Sequence, residues 1–195
     1  ESSLSGSAIP WVPAERPAAI ARWVRFHEPA VWARTAWVCT LKDYLVYCLT
    51  GRLATDEPHA SYSLLFDVRA KRWDRGLCDV AGVRPNQLPE VVPSASVIGR
   101  LLPDPAAATG IPVGTPVVAG GPDGTLATLG AGLTTPGVGV DVTGTTDVVF
   151  ACLREPKLDP AGGLVTNVHA CPERWLWGGP TTTTGGMLAW FAEHI

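Results

Sequence analysis

Apolar positions along the chain change from helical to strand-like spacing near its middle. Ile20, Trp23, Val24 and Phe26 recur at near-helical steps within 14–26, which predicts a helix with Pro17 tolerated near its start. His27-Glu28-Pro29 breaks it, and a second short helix is predicted over 30–36. A third, over 42–49, is closed by Gly51. Residues 55–66 begin polar and mixed and read as a loop with a short helical turn, whereas 74–80 reads as a helix with Asp74 as N-cap and Gly82 as its stop. Pro85, Pro89 and Pro93 then punctuate a long connection. Short strands are predicted at 97–99 and 117–119, the second wholly apolar and therefore expected to be buried. A small helix over 105–109, stopped by Gly110, lies between them. A helix is predicted over 124–131, a hairpin over 138–150 around Thr143-Gly144-Thr145-Thr146, strands at 164–168 and 175–177, and a last helix from Gly186.

Helices first and mixed strands and helices later argue against one regularly alternating α/β unit. The pattern predicts two incomplete α/β domains joined near 132–139. The 195 residues are 46% hydrophobic and 17% charged, enough apolar material for a packed core. A net charge of −3 gives no reason to expect nucleic acid or an anionic membrane surface as partner, and no apolar run is long enough for a membrane helix. The opening Glu1-Ser2-Ser3-Leu4 has neither the basic nor the apolar part of a signal peptide and does not begin with Met, so a cytoplasmic piece of a longer chain is expected. Five cysteines, none at CxxC spacing, read as thiols in a reduced compartment rather than as disulfides or zinc ligands. The four histidines are scattered without ligand spacing, and Trp23, Trp32 and Trp37 read as core residues.

Two segments carry chemistry. In VVAGGPDGTLATLGAG (117–132) a strand enters a Gly-Gly turn and a carboxylate follows at a helix start. Gly120 and Gly121 permit a sharp turn and close ligand approach, and Asp123 stands where α/β proteins collect ligands. Asp123 there could accept a hydroxyl proton, or could simply be the helix N-cap. In GVGVDVTGTTDVVF (137–150) a Gly-centred, hydroxyl-rich turn offers backbone N–H groups that can hold phosphate, or forms an ordinary hairpin turn. No GxxxxGK[ST], GxGxxG, GxSxG or HExxH is present, against Walker-loop, Rossmann, hydrolase and zincin readings.

Taken in order, five segments resemble the FGGY carbohydrate kinases, a family of xylulokinases, ribulokinases, gluconokinases, glycerol and erythritol kinases. KDYLVYCLTG (42–51) looks like that family's KDYLxYRLTG, and TDEPHASYSLLFDVRAKRWD (55–74) like its TDxxxASxTxLFDxxxxxWD. LPEVVPSASVIGRL (88–101), GIPVGTPVVAGGPDGTLATLGAG (110–132) and TGTTDVVF (143–150) follow in the family's order. The resemblance implies the actin-like, ribonuclease H-like fold in two domains, with 1–135 the rear of the first and 136–195 the start of the second. It implies an ATP-dependent carbohydrate kinase using Mg2+ brought by the nucleotide. Asp123 matches the general base beside the sugar or polyol, and Gly144, Thr145 and Thr146 match a phosphate-binding turn. Pro122 and Gly124 depart from the family, which usually has Gly and then Asn or Gln there. A non-catalytic sugar-binding or regulatory relative is the alternative. The chain alone, short of the other phosphate turn and the adenosine pocket, is expected to be inactive and to pair with another copy, as a homodimer, or with a missing segment.

Overall fold

The computed structural model describes residue 14 and residues 16–143, 147–161, 163–180 and 184–195. Helix α1 (Pro17–His27) begins with proline at its first position, where the missing N–H costs nothing, and turns directly into α2 (Pro29–Arg34). Helix α3 (Leu41–Thr50) is fixed at both ends. Thr40 and Asp43 exchange side-chain and backbone hydrogen bonds in a capping box, and Gly51 closes the helix at φ 72°.

Residues 55–66, expected as a loop with a short helical turn, do hold a short helix, α4 (Glu57–Tyr62), but it is preceded by strand β1 (Ala54–Asp56) and followed by the first residue of β2 (Phe66–Asp67). Strand β1 hides from a period-2 reading because all three of its residues are buried, the polar Thr55 and Asp56 included. It pairs in parallel with β4 (Glu90–Val92), which lies inside the proline-punctuated connection; Pro85 there opens a 3-10 turn over Pro85–Gln87. β2 pairs with β3 (Arg72–Trp73), and α5 (Arg75–Ala81) follows with Asp74 accepting from the Leu77 N–H at 2.8 Å and Gly82 as the stop, as predicted.

β5 (Val97–Arg100) and β6 (Pro116–Val118) form an antiparallel pair around α6 (Pro103–Thr109). The expected burial of the second strand is corrected: Val118 is exposed because β6 pairs only with β5, and it is the following Ala119 that is buried. Ala119 joins Val46, Ala54 and Ile98 in a core that ties α3 to these strands. Helix α7 (Asp123–Gly130) then leads through 131–138 to the hairpin β7 (Gly139–Thr143) and β8 (Asp147–Leu153). With β9 (Val165–Val168) and β10 (Trp175–Pro180) they form an antiparallel sheet in the order β7-β8-β10-β9. Gly178 is required where β10 crosses β8, because a Cβ there would stand 1.8 Å from the Val149 carbonyl oxygen. Helix α8 (Thr184–His194) ends the chain.

The later sheet is bolted to the earlier part through α4. Ala60, Phe66 and Val68 pack against Val168 and Trp175, the Trp175 indole donates to the Val68 carbonyl at 2.9 Å, and the Val168 N–H donates to Ser61 Oγ at 3.2 Å. The expected core role of Trp23 and Trp37 is also corrected, since both are more than half exposed. On α1 it is the small Ala21 that faces inward, while Trp23 stacks on His27 one turn along the outer face. All five cysteines are free thiols.

Candidate functional site

Lys42, one residue into α3, is the start of the site. The capping box at Thr40 sets the helix entry, so the Lys42 side chain runs back under the end of β6. Its Nζ lies 2.7 Å from Asp56 Oδ2 and 2.8 Å from Asp43 Oδ1, and donates to the Ala119 carbonyl at 3.0 Å. Both carboxylates are buried, Asp56 completely. One cation thus joins α3, the β1–α4 junction and the strand that feeds the glycine turn.

Asp56 uses its oxygens on two sides. Oδ1 caps α4 by accepting from the His59 backbone N–H at 2.8 Å, and Oδ2 accepts from the His59 ring Nδ1–H at 2.7 Å as well as from Lys42. Burial alone would push the Asp56 carboxyl up, but the His59 ring and the Lys42 ammonium more than offset it and hold the group below the usual carboxylate range. The bond also sets the histidine's tautomer, with Nδ1 carrying the hydrogen.

Beyond Ala119 the chain turns through Gly120 at φ 77°, a left-handed conformation that suits glycine, and reaches Pro122 and Asp123. The Gly120 and Ala119 N–H groups are held by the Ser94 and Ser96 carbonyls, which keeps this turn on the scaffold. Asp123 is the first residue of α7 rather than its N-cap, which is Pro122. Its Oδ1 accepts from the adjacent Gly124 N–H at 2.7 Å, and the carboxylate is exposed.

Two cavities, of about 420 and 620 Å³, open on either side of this carboxylate, and His59, Pro122 and Asp123 line both. The smaller is walled by Arg16 and Tyr62 and, from the later sheet, by Val148, Phe150 and Val165. Arg16 lies over the Tyr62 ring at 5.1 Å. Burial pushes the Tyr62 phenol above its ordinary range; the charge of Asp123 pushes the same way, while the Thr125 hydroxyl and Arg16 oppose it. The larger cavity continues past Thr40, Lys42 and Leu45. An exposed carboxylate between two pockets, at the seam between α4, α7 and the β8–β9 wall, can accept a proton from a hydroxyl lying in either.

Of the residues singled out from sequence, Asp123 is at this site, and Gly144, Thr145 and Thr146 lie outside the described residues. The strands on either side of that segment are paired to its edge, with Thr143 opposite Asp147. Sequence reasoning missed the Lys42–Asp56–His59 chain. A signal existed in the Asp-x-x-His spacing of Asp56 and His59, which is that of an N-cap and its third helical residue. The polar start of 55–66 concealed it. Among the described residues no three His, Cys, Asp or Glu side chains gather in a cation-binding group.

Residues 10–130 match the FGGY family of carbohydrate kinases, N-terminal domain. Among curated proteins, the chain is 32% identical over 169 residues to the xylulose kinase of Bacillus subtilis, covering 87% of this chain and 34% of that one. It is 34% identical over 172 residues to the xylulose kinase of Lactococcus lactis, covering 88% and 34%. The solved xylulose kinase from Rhodospirillum rubrum superposes with a TM-score of 0.90 at 30% identity, over 98% of this chain and 39% of that structure. The chain therefore spans about a third of the length of the curated relatives it matches. The fold is that of the sugar kinases with an actin-like ATPase fold, here in part. The chain belongs to the FGGY family of carbohydrate kinases.

Proposed function

We propose that the full-length protein transfers the γ-phosphoryl group of ATP to a hydroxyl of a sugar or polyol, with Asp123 as general base. The observation that carries this reading is the position of the Asp123 carboxylate, exposed at the head of α7 between two cavities, in a chain of the FGGY family. The acceptor hydroxyl gives its proton to Asp123 while its oxygen forms the new bond to phosphorus, and the bond to the departing nucleotide breaks with its electron pair. Reactions of this kind depend on positioning and charge neutralisation more than on a strong base. The Lys42 bond to the Ala119 carbonyl and the Gly120 turn hold the base in place.

The nucleotide would be held by Gly144, Thr145 and Thr146 between β7 and β8. Mg2+ supplies charge neutralisation at the phosphates and arrives with them, which needs no all-protein cage. Residues 1–135 are assigned to the rear of the first kinase domain and 136–195 to the start of the second. The family match ending at residue 130 and a four-stranded sheet built wholly from residues after 138 support that boundary. A cytoplasmic homodimer is the proposed working form. No described helix is long and apolar enough to cross a membrane.

The test is an ADP-release assay on the full-length protein with xylulose, ribulose, gluconate, glycerol and erythritol. Asp123→Asn is expected to lower kcat by about a hundredfold or more, the scale of a positioned base. Turnover near that of the wild type overturns the assignment. Gly144→Val should weaken nucleotide binding in calorimetry while sparing the acceptor; unchanged nucleotide affinity removes the phosphate turn from the site. Light scattering that finds only monomer at assay concentration overturns the homodimer.

A further inference from the structure

We propose that His59 is an acceptor-contact residue of the kinase site, one that hydrogen-bonds a substrate hydroxyl through Nε2. The inference rests on the kinase reading of the same cleft and names a residue which that reading does not use. Three observations carry it. The ring lines both cavities that flank Asp123. Its Nδ1–H is committed, at 2.7 Å, to the wholly buried Asp56, on the protein side of the ring. The backbone N–H of the same residue is bound to the other oxygen of Asp56 at 2.8 Å, so main chain and side chain are both anchored to one carboxylate.

The consequence follows from the ring's geometry. The two nitrogens sit on different edges, so a histidine tied back through Nδ1 offers Nε2 on the edge away from its anchor. Among the described residues Nε2 has no hydrogen-bond partner, and 19% of the side chain remains exposed. With Nδ1 carrying the hydrogen, Nε2 of the neutral ring is an acceptor, able to take a hydrogen bond from an alcohol O–H. A polyol or sugar presents hydroxyls on neighbouring carbons. While Asp123 takes the proton of the reacting one, His59 can orient a second. A histidine used only to cap or pack α4 would not need its second nitrogen on the cavity wall. Asp56 is in turn fixed by Lys42, so the chain from Lys42 through Asp56 to His59 is a support that holds Nε2 in one place.

The test separates the two nitrogens. In Gln the amide carbonyl oxygen can stand near the position of Nε2 and accept the hydroxyl hydrogen while the bond to Asp56 is given up, whereas in Asn the amide nitrogen reproduces the Nδ1 donor and gives up the cavity contact. In the full-length protein, with D-xylulose, glycerol and D-gluconate as probes, acceptor and ATP KM values and direct acceptor binding by calorimetry are measured for wild type, His59→Gln and His59→Asn. His59→Asn is expected to weaken acceptor binding roughly three- to tenfold, the scale of one hydrogen bond. His59→Gln should keep more of it, and KM for ATP should stay unchanged in both. If Asn binds the acceptor as well as wild type while Gln does not, His59 acts only through Asp56 and the proposal is overturned with the kinase reading intact. If wild type binds a probe but never phosphorylates it, and the Gln-over-Asn order holds, the contact stands and the kinase reading falls. If wild type neither binds nor phosphorylates any probe, both are overturned.

Discussion

Replacing Lys42 by Met keeps the length of the side chain and deletes its charge, at the one cation that Asp43 and Asp56 share. Nζ is 2.8 Å from one carboxylate and 2.7 Å from the other, whose side chains are 1% and 0% exposed. It also holds the Ala119 carbonyl at 3.0 Å. Removing one partner of a buried ion pair costs ~3–5 kcal/mol, because an uncompensated charge stays behind. Here the lower end applies. Asp43 keeps the Thr40 N–H at 3.0 Å, and Asp56 keeps the backbone N–H and ring of His59, so neither carboxylate is stripped of donors. The expected loss is therefore about 3 kcal/mol, read as a shift of the urea midpoint at unchanged slope in the full-length protein. The double variant Lys42→Met, Asp56→Asn should cost much less in total than the sum of the two single changes, since the second change removes a buried charge whose partner is already gone. Catalysis should fall as well, as the freed Ala119 carbonyl no longer steadies the turn that presents Asp123. A Lys42→Met protein within about 1 kcal/mol of wild type, or strict additivity with Asp56→Asn, would refute the shared-cation argument.

Burial holds His169 below its ordinary value of 6.5, while its Nε2–H donates to the Leu133 carbonyl at 2.6 Å. Its contribution is therefore complete above pH 6.5 and declines as the unfolded chain takes up a proton below it. Tm of the wild type should drop between pH 7 and 5.5 more than that of His169→Gln, and equal slopes would contradict this. Gly178→Ala would force a Cβ to within 1.8 Å of the Val149 carbonyl and should cost ~3 kcal/mol in urea unfolding; a neutral outcome would mean β8 and β10 can separate freely. Ser61→Ala removes the acceptor of the Val168 N–H between α4 and β9 and should cost about 1 kcal/mol by the same measurement, with no change in KM for ATP.

Elements whose identity is written locally are legible in the sequence. Asp74 and Gly82 bracket α5, Gly51 stops α3, and the hairpin of β7 and β8 sits astride its Thr-Gly-Thr-Thr segment, because caps, stops and turns are chemistry between residues a few positions apart. Asp123 is legible too, as a carboxylate following a strand and two glycines. What escapes is decided by distant partners. β1 is a strand because β4, more than thirty residues on, supplies its hydrogen bonds and its cover, and nothing in Ala54-Thr55-Asp56 announces burial. β6 reads as buried yet lies at the margin of a two-stranded pair, since only packing assigns a face to an apolar strand. His59 looks idle among scattered histidines until Lys42 and Asp56 are brought to 2.7 Å and the wall of β8 and β9 closes a cavity beside it. Local sequence set the caps, the turns and the carboxylate. Only the tertiary fold could choose which buried carboxylates share the Lys42 ammonium and which histidine comes to line the cavities beside Asp123, because desolvation and hydrogen-bond pairing are properties of neighbours in space.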